Sequence, residues 1–427
     1  MGARTVLSVR VMPTKKGHSE VKTSAIALVF VSSTLLLGVP CARASSAGGD
    51  STYYTWLQEC LKALRQDVSK MGVSSEAAAR RFVVDGYSIG AWGDPAFVSE
   101  FSGRAGGLMP VVSIDPAKTE KTVVLATLSD STFETGIKQL SELSKRDNFV
   151  VLFARKTLID KAKAAGLRVD AAIDNHACEH NGIIEMDGKW VVPTEPTANI
   201  AALWTWTAEF VSACSRLGKL PTVWQSIRVP GAADRNPLYY GMKFLAGETA
   251  PVRKRKLGLE YLDGVSKLLA DIHKNDEKFI RKAGALAAEA RRAGAGVHIV
   301  FLGHALESQL GCDGDPGIFK RYTGGSVSKD DFVLGVGYDM LVRDPTFKSA
   351  RDAALVSGAK RAWSFTSYSA EDVKSVPPGD IYIDQRWALG DAIVTVPGYD
   401  VKILPPSGVI GEYLFWAINA EALRQAR

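Results

Sequence analysis

The sequence predicts an α/β protein made of two tandem, doubly wound parallel-sheet domains, each a flavodoxin-like three-layer αβα sandwich. Three observations carry this. The chain has 427 residues, more than one typical core can use. Short β-branched runs alternate with helical patterns, which is the signature of a parallel sheet covered by helices on both faces. The second half of the chain also repeats the order of the first.

The repeat aligns without a gap at an offset of 210 residues: Ile173-Asp174 with Ile383-Asp384, Gly188 with Gly398, Pro196 with Pro406 and Trp206 with Trp416. Thr197 and Ser407, both small hydroxyls, coincide as well. In each stretch a strand ends in Ile-Asp, a second short strand follows, and a proline precedes an apolar, Trp-containing helix. Proline suits the first helical turn, where its missing N–H costs nothing. Each unit is large enough to bury its own core, so this is no solenoid.

Upstream, strands are expected at 81–86, 122–127 and 148–153 in the first copy, and at 297–303, 332–336 and 361–365 in the second. Helical segments at 75–80 and 279–293 precede the first strand of each copy. The domains are expected to span residues 50–240 and 257–427. Residues 229–256 between them hold Pro, Gly and the basic run Arg253-Lys254-Arg255-Lys256, as a linker would. That run is the only dense charge cluster behind the net charge of +6, so no nucleic-acid partner is expected.

Residues 1–44 read as an export signal. Lys15, Lys16 and Lys22 precede an apolar run from Ala25 to Val39, and Ala42-Arg43-Ala44 offers a cleavage site. Cleavage near Ala44 would leave an exported, periplasmic or secreted protein. No other segment has the ~18 consecutive apolar residues of a membrane span, so the mature form is not expected to cross a membrane. Four cysteines would remain, Cys60, Cys178, Cys214 and Cys312, and the sequence does not assign their pairing.

Ligands of open parallel sheets bind beyond the carboxyl ends of the strands. Two loops there are rich in glycine and hydroxyls: Gly86-Tyr87-Ser88-Ile89-Gly90, and the stretch from Leu128 to Gly136 with Ser129, Ser131, Thr132 and Thr135. Amides at a helix start, joined by hydroxyls, can hold a phosphate without a lysine. A capping box, Ser131-x-x-Glu134, accounts for two of these residues with no ligand at all, but leaves Ser129, Thr132 and Thr135 unexplained. A third segment runs from Glu100 to Leu108. Glu100 and Arg104, four apart on a helix, form an ordinary ion pair on the bland reading. On the functional one, Glu100 moves a proton between adjacent carbons of a sugar.

These three pieces, in this order, resemble the SIS (sugar isomerase) domain. Glu100-Phe101-Ser102-Gly103-Arg104 is similar to the Glu-x-x-Gly-Arg segment of phosphoheptose isomerases. The stretch Glu100 to Leu108 followed by Ile173-Asp174-Asn175 is similar to uncharacterised SIS proteins, and Ser129-x-Ser131-x-x-x-Thr135 resembles the family's phosphate loop. The resemblance covers residues 50–240. It implies a phosphorylated or otherwise anionic sugar as ligand, with Ser88, Arg104, Ser129, Ser131, Thr132 and Thr135 binding it and Glu100 catalysing aldose–ketose isomerisation. No cofactor and no metal are expected. It also implies paired SIS domains, in one chain or as a homodimer.

The sequence departs from that pattern in two places. The second copy keeps a glycine turn, Gly303-His304-Ala305-Leu306-Glu307, but its next loop, Gly335 to Leu341, lacks the hydroxyl cluster. There Asp344 and Pro345 predict a structural helix start. In the first copy, SIS isomerases pair their glutamate with a histidine near the last helix, where this chain has Glu195 and no histidine. An alternative function follows: a non-catalytic, exported carbohydrate-binding or structural protein that retains the fold. Export favours this alternative, because sugar phosphates are mostly cytoplasmic. His176, Cys178 and His180 alternate along a loop, yet their spacing matches no common zinc motif, so plain loop or pocket-lining roles are expected for them. No G-x-G-x-x-G follows either first strand, which disfavours a dinucleotide oxidoreductase.

Overall fold

A computed structural model describes residues 49–247, 249–338, 344–366 and 373–426, all within one compact unit. The export signal expected at 1–44 lies outside the described residues. The first half runs α1 (Gly49–Val83), β1 (Ser88–Trp92), α2 (Pro95–Phe101), β2 (Thr122–Thr127), α3 (Phe133–Lys145), β3 (Phe149–Ala154), α4 (Lys156–Ala164), β4 (Ala171–Asp174), the hairpin β5 (Ile184–Met186) and β6 (Lys189–Val191), and α5 (Glu195–Arg216). A connection containing α6 (Ala232–Arg235) leads to the second half. That half runs α7 (Lys256–Arg292), β7 (Val297–Phe301), β8 (Lys320–Arg321), β9 (Phe332–Val336), α8 (Pro345–Ser357), β10 (Lys360–Phe365), β11 (Ile381–Asp384) and α9 (Ser407–Ala426).

Each half carries one parallel sheet, β1-β2-β3-β4 and β8-β7-β9-β10-β11. Alternate residues of a strand face opposite sides, and the central strands are apolar on both. Val123, Leu125, Val151 and Phe153 face inward with Ile299, Leu334 and Ile383 of the other sheet, in one core built around α1, α5, α7 and α9. The alternate residues face out: Val124, Ala126, Val150 and Leu152 pack on α3 and α4, and Val333 and Trp363 pack on α8. This is the doubly wound α/β architecture the sequence predicts. No helix among the described residues is long and apolar enough to cross a membrane. Cys60, Cys214 and Cys312 are free thiols.

Two expectations need correction. Residues 81–86 are not the first strand: α1 runs through Val83, and β1 begins at Ser88. Phe82 belongs to the helical face and packs on Phe210, and this tertiary contact overrides the β-propensity of Val83-Val84. Ser88 and Gly90 therefore lie in β1 itself, and Gly90 is small because a Cβ there would sit 2.3 Å from the Val112 carbonyl. The gapless offset also fails beyond residue 391. The non-glycine residues with positive φ correspond at 210 for His176 (59°) with Arg386 (62°) and for Asn181 (49°) with Asp391 (47°), but at 212 for Val192 (62°) with Leu404 (68°). Two extra residues lie in that loop of the second half. Trp416 therefore matches Trp204, not Trp206.

Candidate functional site

At the carboxyl ends of β1 and β2 a cleft of about 590 Å³ opens, lined by Trp92, Asp94, Ser129, Ser131, Thr132, Thr135, Gln139, Glu195 and Asn199 among others. The turn after β1 forms its floor. Gly93 has φ 115°, and a Cβ there would sit 2.4 Å from Thr127 Oγ1, so only glycine lets the turn close on β2. The Asp94 amide donates to Thr127 Oγ1 at 2.8 Å, and the Asp94 carboxylate caps α2 through the amides of Ala96 (2.8 Å) and Phe97 (3.2 Å). Burial raises the Asp94 pKa, its two amide donors partly offset this, and Asp313 nearby raises it further.

The hydroxyl loop does not behave as a capping box. The N-cap of α3 is Thr132, whose side chain makes no capping bond. Ser129 Oγ instead pairs with Thr132 Oγ1 at 2.8 Å and with Ser131 Oγ at 3.2 Å, so three hydroxyls cluster at the start of a helix on the cleft wall. The Ser131 amide donates to the carboxylate of Asp313 at 3.0 Å, a residue of the second half. A carboxylate oxygen thus already sits on an amide at the start of this hydroxyl cluster.

Opposite stands Glu195, the first residue of α5. Asn181 Oδ1 accepts the amides of Thr194 (3.1 Å) and Glu195 (2.8 Å) and so caps this helix from the β4–β5 loop. Arg155 Nη1 donates to Glu195 Oε1 at 2.5 Å, and Arg155 Nη2 pairs with Asp130. Burial pushes the Glu195 carboxyl up to about 7, although Arg155 opposes the shift; Asp130 and Asp313 add to it. Beyond Asn181 and Asp313, which line both spaces, a second cavity of about 610 Å³ holds Arg155, Lys161, His180, Lys189 and Trp190. His180 stacks on Trp190 there, with centroids 5.3 Å apart. His176 points elsewhere, to Asp67 on α1 at 2.9 Å. Among the described residues no group of three metal-ligating side chains forms.

Four of the seven residues proposed from the sequence thus meet in the cleft: Ser129, Ser131, Thr132 and Thr135. Ser88 does not, because it opens β1 and the cleft lies at the strand's other end. Glu100 and Arg104 do not line the cleft either; both are fully buried against the second half. Arg104 Nε donates to Glu100 Oε1 (3.1 Å), and Nη2 meets Asp391 (3.1 Å) and Ser407 Oγ. The Tyr338 hydroxyl accepts from Nη1. The indole N–H of Trp204 adds a bond to Glu100 at 3.1 Å, and burial raises the Glu100 pKa. This network occupies the pocket of the second half that corresponds to the cleft. Only about 10 Å³ remains there, between Arg104, His304, Tyr338, Gln385 and Ser407. Asp344 caps α8 with Pro345 at its first position, as the sequence predicts.

The sequence alone does not place Glu195 and Asp313 at this cleft. Pro196 just inside a helix start could have placed Glu195 at the mouth of α5. The glycine-rich run from Gly311 to Gly317 could have marked a loop after β7, but not which half it enters.

In 87% of its length the chain is similar to the C-terminal domain of a glucosamine-fructose-6-phosphate aminotransferase from Francisella tularensis, at 11% identity, TM-score 0.44 and 95% of that chain. It is similar to a candidate phosphosugar isomerase from Silicibacter pomeroyi at 12% identity and TM-score 0.45, over 87% of this chain and 97% of that one. Another from Clostridium difficile has 8% identity and TM-score 0.49, over 88% and 94%. No family model and no curated protein matches the chain.

Proposed function

We propose that the cleft of the first half binds a phosphorylated sugar, with the phosphate on Ser129, Ser131, Thr132 and Thr135 and the sugar toward Glu195 and Asn199. The observation that carries this reading is that the loop's hydroxyls are spent neither on capping α3 nor on the core; they bond one another on the cleft wall. Thermal melting with hexose and heptose phosphates, with phosphate and plain sugars as controls, tests it. A ligand at 100 times its dissociation constant stabilises by roughly 2.7 kcal/mol. A shift with one sugar phosphate that Ser131→Ala with Thr132→Ala abolishes is the expected outcome. No shift with any of them removes the reading.

For aldose–ketose isomerisation we assign proton transfer to Glu195 rather than Glu100. Glu195 lines the cleft, and a carboxyl titrating near neutrality suits a base that takes a carbon-bound proton and returns it. Glu195→Gln should bind ligand yet lose turnover, whereas turnover unchanged by Glu195→Gln overturns the assignment. The second reading, a carbohydrate-binding protein without catalysis, is favoured by the Arg155 guanidinium that already holds Glu195. Binding without turnover in the unaltered protein would establish it. Export belongs to the proposal too: sequencing the N-terminus of the mature protein should give Ser45.

A further inference from the structure

The cradle proposed for phosphate already contains an anion. Asp313 Oδ2 sits 3.0 Å from the Ser131 amide, and Asp313 arrives from the other half of the molecule. Its backbone is anchored to the first half, and its carboxylate takes one hydrogen bond, at an exposed contact. The Gly314 carbonyl accepts the Val192 amide at 2.9 Å, and the Asp313 carbonyl accepts Asn181 Nδ2 at 3.3 Å. Gly314 has φ 90° and lies so close to the first half that a Cβ would meet the Asn181 carbonyl at 3.1 Å. The chain is therefore anchored immediately beside Asp313, and the anchoring aims one carboxylate at the cradle.

The carboxylate itself is held lightly. Its contact with Ser131 is solvent-exposed, and the side chain lines two open cavities. Arg104, which crosses the other way, is fully buried and bonded to Glu100, Tyr338, Ser407 and Asp391. Arg104 cannot leave its pocket without stranding buried carboxylates, whereas Asp313 can rotate into water.

We propose that Asp313 is an internal latch: its carboxylate occupies the anion cradle in the free protein, and a phosphate group enters by rotating it off the Ser131 amide. This rests on the phosphosugar reading of the cleft. It adds that the affinity for anions is set low by a competitor within the chain, and that ligands without an anionic group leave the latch in place. The two charges repel at contact distance, so both cannot sit on the loop.

The test measures inorganic phosphate binding by calorimetry to the full-length protein, to Asp313→Asn, and to Asp313→Ser as a second, smaller replacement. Loss of the competing carboxylate should tighten phosphate on the order of tenfold, the worth of one hydrogen bond to a charged group. Variants that bind phosphate no tighter than the unaltered protein overturn the latch and leave the cleft reading standing. Absence of binding in all three proteins fails the cleft reading itself, and the latch with it. A crystal structure of the unaltered protein with phosphate gives an independent readout. Phosphate on the Ser131 amide with Asp313 turned away supports the latch, and phosphate bound with Asp313 still on that amide overturns it.

Discussion

The two halves of this molecule share a fold and differ in what crosses between them. Each sends one residue from the segment after its first strand into the other's pocket: Arg104 into the second half, Asp313 into the first, 209 positions apart. The second pocket is reduced to about 10 Å³, and the first keeps about 590 Å³. Glu100 and Gln309, also 209 apart, each accept an indole N–H at 3.1 Å, from Trp204 and Trp416 respectively. The scaffold is thus the same to the level of single hydrogen bonds. A guanidinium that meets Glu100 and Asp391 turns one site into core, and a lone carboxylate on an amide leaves the other a cleft.

The largest expected effect attacks the closed side. Arg104→Met strips the counter-charge from Glu100 and Asp391 and should cost about 3–5 kcal/mol in denaturant unfolding, whereas Asp313→Asn, at a wet contact, should cost ~1 kcal/mol or less. Equal costs would erase the distinction drawn between the halves. Next comes pH. The fold raises the Glu195 pKa from its ordinary value to about 7, so the native state binds a proton that the unfolded chain releases. That contribution is whole below pH ~4.5 and is lost as pH rises to about 7, a loss on the order of 3 kcal/mol. Glu195→Gln should flatten the stability profile in that window. Gly314→Ala comes third, at about 1–3 kcal/mol, because alanine must hold φ 90° against the Asn181 carbonyl. Smallest is Ser131→Ala with Thr132→Ala. These exposed hydroxyls should change stability by only ~0.5 kcal/mol, although the pair is expected to abolish phosphate binding.

Much of the fold was legible because buried parallel strands are short apolar runs. Thr122–Thr127, Phe332–Val336 and Ile383-Asp384 all fall where the sequence puts them. The Phe82–Val84 run was misread because local β-propensity says nothing of the Phe210 ring that makes Phe82 a helical core residue. The hydroxyl loop was legible for the same local reason as the strands. Glu100 was not, since its four-residue spacing from Arg104 fixes a pair but not the surface the pair faces. That surface is Gly408 on α9, where a Cβ would lie 2.3 Å from Glu100 Oε1, and nothing near residue 100 announces it. Asp313 was hidden for the converse reason: it serves a site that belongs to the other half.

The inner layer of four long helices has a consequence for synthesis. Tyr53 near the start of α1 packs against Tyr413 of α9, and its hydroxyl reaches the Pro193 carbonyl and Thr197. Among the described helices, α1 therefore leaves the ribosome first and waits for α9 before its apolar face is covered. A nascent chain of this protein stays adhesive until α9 (Ser407–Ala426) emerges, and truncation within α9 should cost solubility in the cell.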